Sequence, residues 1–178
     1  MKPGTAGVVD RFVSVEVTAR PDRPLMKWLR LREEKERPHL GSSDGLGALL
    51  HEYGLGSGVQ EELWVVVFDA AASVRAIYAV AKGGYHDCDL SIPAILSPVF
   101  LEATDRFAVA HNHPSGEMDA TANDLDLTDR LLEASDLLGL EFLDHLILGP
   151  GGQCFSVREE RPKRRRRKAA HASPAVSA

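Results

Sequence analysis

Ala110-His111-Asn112-His113-Pro114-Ser115-Gly116 is the stretch that decides the fold, and a short apolar run, Arg106-Phe107-Ala108-Val109, leads into it. The run reads as a buried strand. Strand side chains alternate faces, so His111 and His113 point the same way. Pro114 cannot continue a sheet ladder and Gly116 permits a sharp turn, so the chain leaves the strand just after the second histidine. A helix follows, because Leu127, Leu131, Ala134 and Leu138 recur at helical spacing. Asp124, eleven positions after His113, stands near its start. A strand end and a helix start can then bring two imidazoles and a carboxylate to one ion.

Two histidines and one carboxylate are a catalytic zinc set, with three protein ligands and the fourth position left to water. The same residues support a second reading. Thr121-Ala122-Asn123-Asp124 has the spacing of a capping box, in which Thr121 caps the helix and Asp124 occupies its third position. Spacing alone leaves both open, and either histidine can be an ordinary polar residue.

Upstream, Leu63-Trp64-Val65-Val66-Val67-Phe68 is long and apolar enough for a central strand, opened by Glu61 and Glu62. Taken alone these are strand-end acids. Ala76-Ile77-Tyr78-Ala79-Val80-Ala81-Lys82 is its hairpin partner across a turn at residues 69 to 74. Pro93 to Thr104 forms a helix with Ile95, Val99 and Ala103 on one side. Ser42-Ser43-Asp44 caps a short helix carrying Leu46, Leu49, Leu50 and Tyr53, closed by Gly54. Downstream, Gly139 ends the helix after Asp124, Leu140 to Leu148 is a strand, and Gln153 to Val157 returns antiparallel. Asp144 and His145 are adjacent on that strand and face opposite sides, so they cannot both reach one site. His145 is either a support or wall of the pocket or a satisfied core histidine.

Taken together, Glu61, His111-Asn112-His113-Pro114-Ser115-Gly116, Thr121-x-x-Asp124 and Asp144-His145-Leu146-Ile147 resemble the RadC-like branch of the JAB/MPN (JAMM) metalloprotein family over roughly residues 41 to 158. Thr121 departs from the serine usual in that family, but keeps the hydroxyl. The resemblance implies a cytidine-deaminase-like JAB/MPN sheet, with His111, His113 and Asp124 as ligands of a zinc ion. It puts Glu61, not Glu62, at the catalytic glutamate, and Thr121 or a backbone N–H at the oxyanion. The chemistry implied is hydrolysis of a peptide or isopeptide amide, in which Glu61 takes a proton from a metal-polarised water and returns it to the leaving amine. RadC-like proteins are also linked with DNA repair and recombination. A nucleic-acid-associated accessory protein with a structural or vestigial metal site is therefore the competing reading.

The order of elements, with hairpins and without regular alternation, predicts an α+β, three-layer α/β/α-like arrangement, a mixed sheet flanked by helices. At 178 residues and 44% hydrophobic content the chain can bury one core. The expected organisation is an extension over residues 1–40 with strands at Phe12 to Thr18 and, as strand or short helix, Leu25 to Leu31; the main domain over 41–158; and a basic, disordered tail over 159–178. The charged run Arg32 to Arg37 reads as a solvated face.

No apolar run approaches membrane-spanning length, the start offers no secretory h-region, and Cys88 and Cys154 are too few and too far apart for a disulfide framework. A cytoplasmic protein is expected. Arg161, Lys163, Arg164, Arg165, Arg166, Arg167 and Lys168 follow Glu160 with no acid among them; taking these seven from the formal −5 leaves −12 on residues 1–160. An acidic body is a poor duplex-binding surface, whereas the tail can attract phosphates.

Three other patterns fail. Gly54 to Gly58 follows a helix and precedes a strand, the reverse of a phosphate-cradling loop. His51-Glu52 lacks the histidine at position 55 that a zincin needs. Tyr85-His86-Asp87-Cys88-Asp89 has ligand types but no partner at a recognisable spacing.

Overall fold

The computed structural model describes residues 12–17, 26–31, 42–55, 58–83 and 91–160. The run at 32–37, Gly56 and Ser57, residues 85–89 and the basic stretch from Arg161 lie outside them. Among the described residues seven strands form one sheet: β1 (Phe12–Val17), β2 (Met26–Leu31), β3 (Glu62–Phe68), β4 (Val74–Lys82), β5 (Arg106–Asn112), β6 (Glu141–Leu148) and β7 (Cys154–Ser156). Their order is β1-β2-β4-β3-β5-β6-β7. Only the β5–β6 pair is parallel, which makes the sheet mixed. The segment at 26–31 is a strand, and its pairing with β4 continues the extension's hairpin into the main sheet.

The helices α1 (Ser43–Glu52), α2 (Ile92–Leu101) and α3 (Ala122–Leu138) occupy two layers, and a single turn, α4 (Val157–Glu160), follows β7. Alternation sorts the core accordingly. Leu46 and Leu50 of α1 pack with Trp64, Val66, Phe68, Ala108, Ala110 and Leu146. Ile95 and Val99 of α2 and Leu127 and Leu131 of α3 pack with Leu63, Val65, Val67, Phe107 and Val109 on the other side. Layers on both faces explain why β3 is an unbroken apolar run, buried from Leu63 to Phe68.

Local signals set the boundaries. Ser42 Oγ accepts from the Gly45 N–H at the start of α1, and Gly54, at φ 93°, turns the chain out of it. The β3–β4 turn is an Asx turn, since Asp69 Oδ1 accepts from the backbone N–H groups of Ala71 and Ser73, each at 2.9 Å. One expectation is corrected: α2 stops at Leu101, and Ala103 lies beyond it, exposed, at φ 49°. The Glu102 N–H closes on Pro98 O, and the chain must turn sharply from there into β5.

Candidate metal centre

Strand β5 carries His111 and His113 to the end of the sheet on the α2/α3 face, and the turn through Pro114 and Gly116 returns the chain to the start of α3. There the capping box of Thr121 and Asp124 forms. Thr121 Oγ1 accepts from the Asp124 N–H at 3.2 Å, while Asp124 Oδ2 accepts from the Thr121 N–H at 2.7 Å and its hydroxyl at 2.6 Å. The capping box fixes the carboxylate, and the fixed carboxylate faces the histidines. His111 Nε2 lies 3.2 Å from Asp124 Oδ1 and His113 Nε2 lies 3.6 Å from Oδ2. The two Nε2 atoms are 2.9 Å apart. Ligand atoms around a four-coordinate zinc with bonds of about 2.0–2.1 Å are roughly 3.3 Å apart, so the spacing suits a single small cation.

Proton bookkeeping makes the same point independently. His113 Nδ1 is 2.7 Å from Glu117 O, an acceptor only, so this nitrogen carries the hydrogen. Thr128 Oγ1 donates to Asp124 O at 2.6 Å, which leaves it accepting from His145 Nδ1 at 2.7 Å. His145 Nε2 then accepts from His111 Nδ1, 2.9 Å away. While both rings are neutral, the two Nε2 atoms are lone pairs facing each other beside a carboxylate, an arrangement relieved either by a proton on His113 or by a shared cation.

The electrostatics agree with a cation site. Burial, the largest cause, pushes His111 well below the ordinary 6.5 and keeps it neutral. The hydrogen bond with Asp124 raises His113 against its burial. Burial pushes the Asp124 carboxyl up, yet its contacts with His113, His111 and Thr121 outweigh that and hold it well below the usual range.

Residues 41–162 match the family described as RadC-like JAB domain. The chain belongs to that family. It is similar to a UPF0758 protein of Porphyromonas gingivalis, 32% identical over 101 residues, covering 57% of this chain and 44% of the relative. A UPF0758 protein of Picosynechococcus is 38% identical over 90 residues, covering 51% of this chain and 37% of the relative. One from Chloroflexus aggregans is 36% identical over 100 residues, covering 56% and 43%. The RadC-like chain thus spans less than half the length of these relatives.

The structure gathers Glu61, His111, His113 and Asp124, with one ligating atom from each within 4.8 Å of all the others. Glu62 points elsewhere: its Oε1 meets Lys82 Nζ at 2.9 Å and its Oε2 accepts from Trp64 Nε1 at 3.1 Å. A cleft of about 220 Å³ opens here, lined by Glu61, His113, Ser115, Glu117, Thr121 and Asn123. Thr121 lines that cleft, but its hydroxyl donates to Asp124. A larger hollow of about 680 Å³, over Phe68, Ala108 and Leu143, lies on the sheet face away from the histidines.

Sequence reasoning assigned no role to Asn112 or Thr128. Asn112, between the histidines, is 1% exposed. Its Oδ1 accepts from the Glu62 N–H at 2.7 Å and its Nδ2 donates to Gln60 O at 3.0 Å. The amide straddles Glu61, whose own carbonyl accepts from the Gly83 N–H at 2.8 Å. Alternation already placed Asn112 on the opposite side of β5 from the histidines; what that side meets depends on pairing with β3, which no local pattern encodes. No helix among the described residues is long and apolar enough to cross a membrane.

Proposed function

We propose that this RadC-like JAB protein is a zinc-dependent hydrolase of peptide or isopeptide-type amide bonds. The observation that carries the reading is the pair of lone-pair nitrogens, 2.9 Å apart, beside the Asp124 carboxylate. His111, His113 and Asp124 would hold the ion, next to a cleft lined by Glu61, His113 and Thr121. When bound, the ion supplies Lewis-acid polarisation of a water and of the scissile carbonyl.

Glu61, with a carboxylate oxygen within 4.8 Å of the three ligating atoms, would act as the base and not as a ligand. It takes a proton from the attacking water as the oxygen bonds to the carbonyl carbon, then delivers it to the amine nitrogen as the C–N bond breaks. Asn112 holds the Glu61 backbone for both transfers. Thr121 serves first to hold Asp124; as oxyanion donor it must turn its hydroxyl from Asp124 Oδ2 to the substrate. The test is hydrolysis of a panel of peptide and isopeptide bonds by zinc-loaded protein, with Glu61→Gln as the inactive control.

The second reading, nucleic-acid association, rests on the seven bases from Arg161 to Lys168. Salt-sensitive, sequence-blind binding that is lost on truncation after Glu160 supports it. Undiminished binding by the truncated chain moves the contact to the folded body.

A further inference from the structure

His145 is buried completely and so is Thr128, yet the hydrolytic reading uses neither. Both lie in line behind His111. Regular alternation from Phe142, which faces α2 and α3, would turn a residue three positions on to the opposite face. A bulge in β6 prevents this. Phe107 pairs with Phe142 and Val109 with His145, so Leu143 and Asp144 together stand opposite the single Ala108. The extra residue restores His145 to the face of Val109 and His111.

The bulge has its own supports. An extra residue leaves ladder groups without partners, and here others meet them. Arg158 of α4 donates through Nη1 to the carbonyls of Phe142 and Leu143. The Asp144 carboxylate accepts from the His145 N–H at 2.7 Å and the Ser156 hydroxyl at 2.8 Å through Oδ1, and from the Ser43 hydroxyl at 2.6 Å through Oδ2.

We propose that His145 and Thr128 are positioning residues of the metal centre: backed by the β6 bulge, they hold His111 with its proton on Nδ1 so that Nε2 faces the ion. The chain runs Asp124 C=O, Thr128 hydroxyl, His145, His111, so the helix that supplies the carboxylate ligand also sets the tautomer of the imidazole ligand. A ligating histidine commonly gives its second N–H to a carboxylate or carbonyl. Here it gives it to a second imidazole, which can accept only while its own proton stays on the Thr128 side. Thr128 is therefore part of the same support.

The inference rests on the proposed metal site, and its test separates the two. Imidazole ¹⁵N shifts of the metal-free protein report the His111 tautomer directly, and chelator competition reports zinc affinity. The expected parent signal is a protonated Nδ1 and a bare Nε2. Zinc affinity should fall about 10- to 100-fold in His145→Leu and about tenfold in Thr128→Val, with Thr128→Ser close to the parent. Thr128→Val is nearly isosteric and carries the test if His145→Leu does not fold. A metal-free parent protonated on His111 Nε2 overturns the proposal, as does parent-like zinc affinity in folded Thr128→Val. A parent that binds no zinc but shows the expected tautomer contradicts the metal reading and leaves the relay standing.

Discussion

Two carboxylates, Asp124 and Asp144, are buried on opposite faces of the same sheet, 2% and 7% exposed, and they differ in what they face. Asp144 meets only donors: two hydroxyls and one backbone N–H, each with its hydrogen to give. That cluster is closed. Asp124 takes hydrogen bonds from Thr121, then faces the Nε2 atoms of two imidazoles whose Nδ1 hydrogens are committed elsewhere, so a proton or a cation must come between them. Burial of polar groups is common to both, whereas only the second arrangement is short of positive charge. A buried acid becomes informative once each donor and acceptor around it has been matched.

The largest effect expected from that contrast is chemical. Glu61→Gln keeps the shape beside the histidines but cannot take a proton, so hydrolysis should fall about 100-fold or more while zinc binding and melting stay near the parent. Glu62→Gln, whose carboxylate is engaged by Lys82 and Trp64, should stay active. Steady-state rates on a common substrate decide it; full activity in Glu61→Gln removes the general base.

Acidity sharpens the contrast next. Because His113 is raised above 6.5, it still holds a proton at pH values where an ordinary imidazole has lost it, and an incoming ion must displace that proton. Zinc affinity should therefore rise by about tenfold per pH unit as pH approaches the raised value from below, then level off, with one proton released per ion. Calorimetry in buffers of different ionisation enthalpy measures both. A flat profile across this range contradicts the role of His113 as a ligand.

Much of the site was legible in the sequence because its parts are local. The histidine pair follows from strand alternation, and the capping box follows from a four-residue spacing that a helix start enforces. Asp144 and His145 were correctly separated onto two faces by the same alternation. What decided the side His145 reached was the bulge opposite Ala108, a property of strand pairing that leaves no periodic trace. Glu61 and Glu62 were likewise indistinguishable by composition; the family resemblance chose between them, and the structure places only Glu61 beside the histidines. Between β1 and β4, β2 could not be told from a helix because its pattern is short, and pairing on both sides settles it.

A smaller effect tests Asn112. Asn112→Ala removes the amide that straddles Glu61 and takes from the Glu62 N–H the side-chain oxygen it donates to. The cost should be about 1–3 kcal/mol in denaturant unfolding, with a lowered hydrolytic rate and unchanged zinc affinity. Loss of zinc instead would place Asn112 with the ligands' support. The smallest effect belongs to the closed cluster: Ser43→Ala deprives Asp144 Oδ2 of one donor. It should cost about 1 kcal/mol and leave zinc affinity untouched. A change in zinc affinity there would couple the two faces.

The most direct measurement is zinc binding to metal-free protein, by elemental analysis after equilibration and by competition with a chelator, for the parent and for His111→Ala, His113→Ala and Asp124→Ala. The expected result is about one zinc per chain in the parent and a large loss of affinity in each variant, since each removes one of three ligands. A parent that binds no zinc, or three variants that bind it as the parent does, would contradict the assignment of these residues as a metal centre.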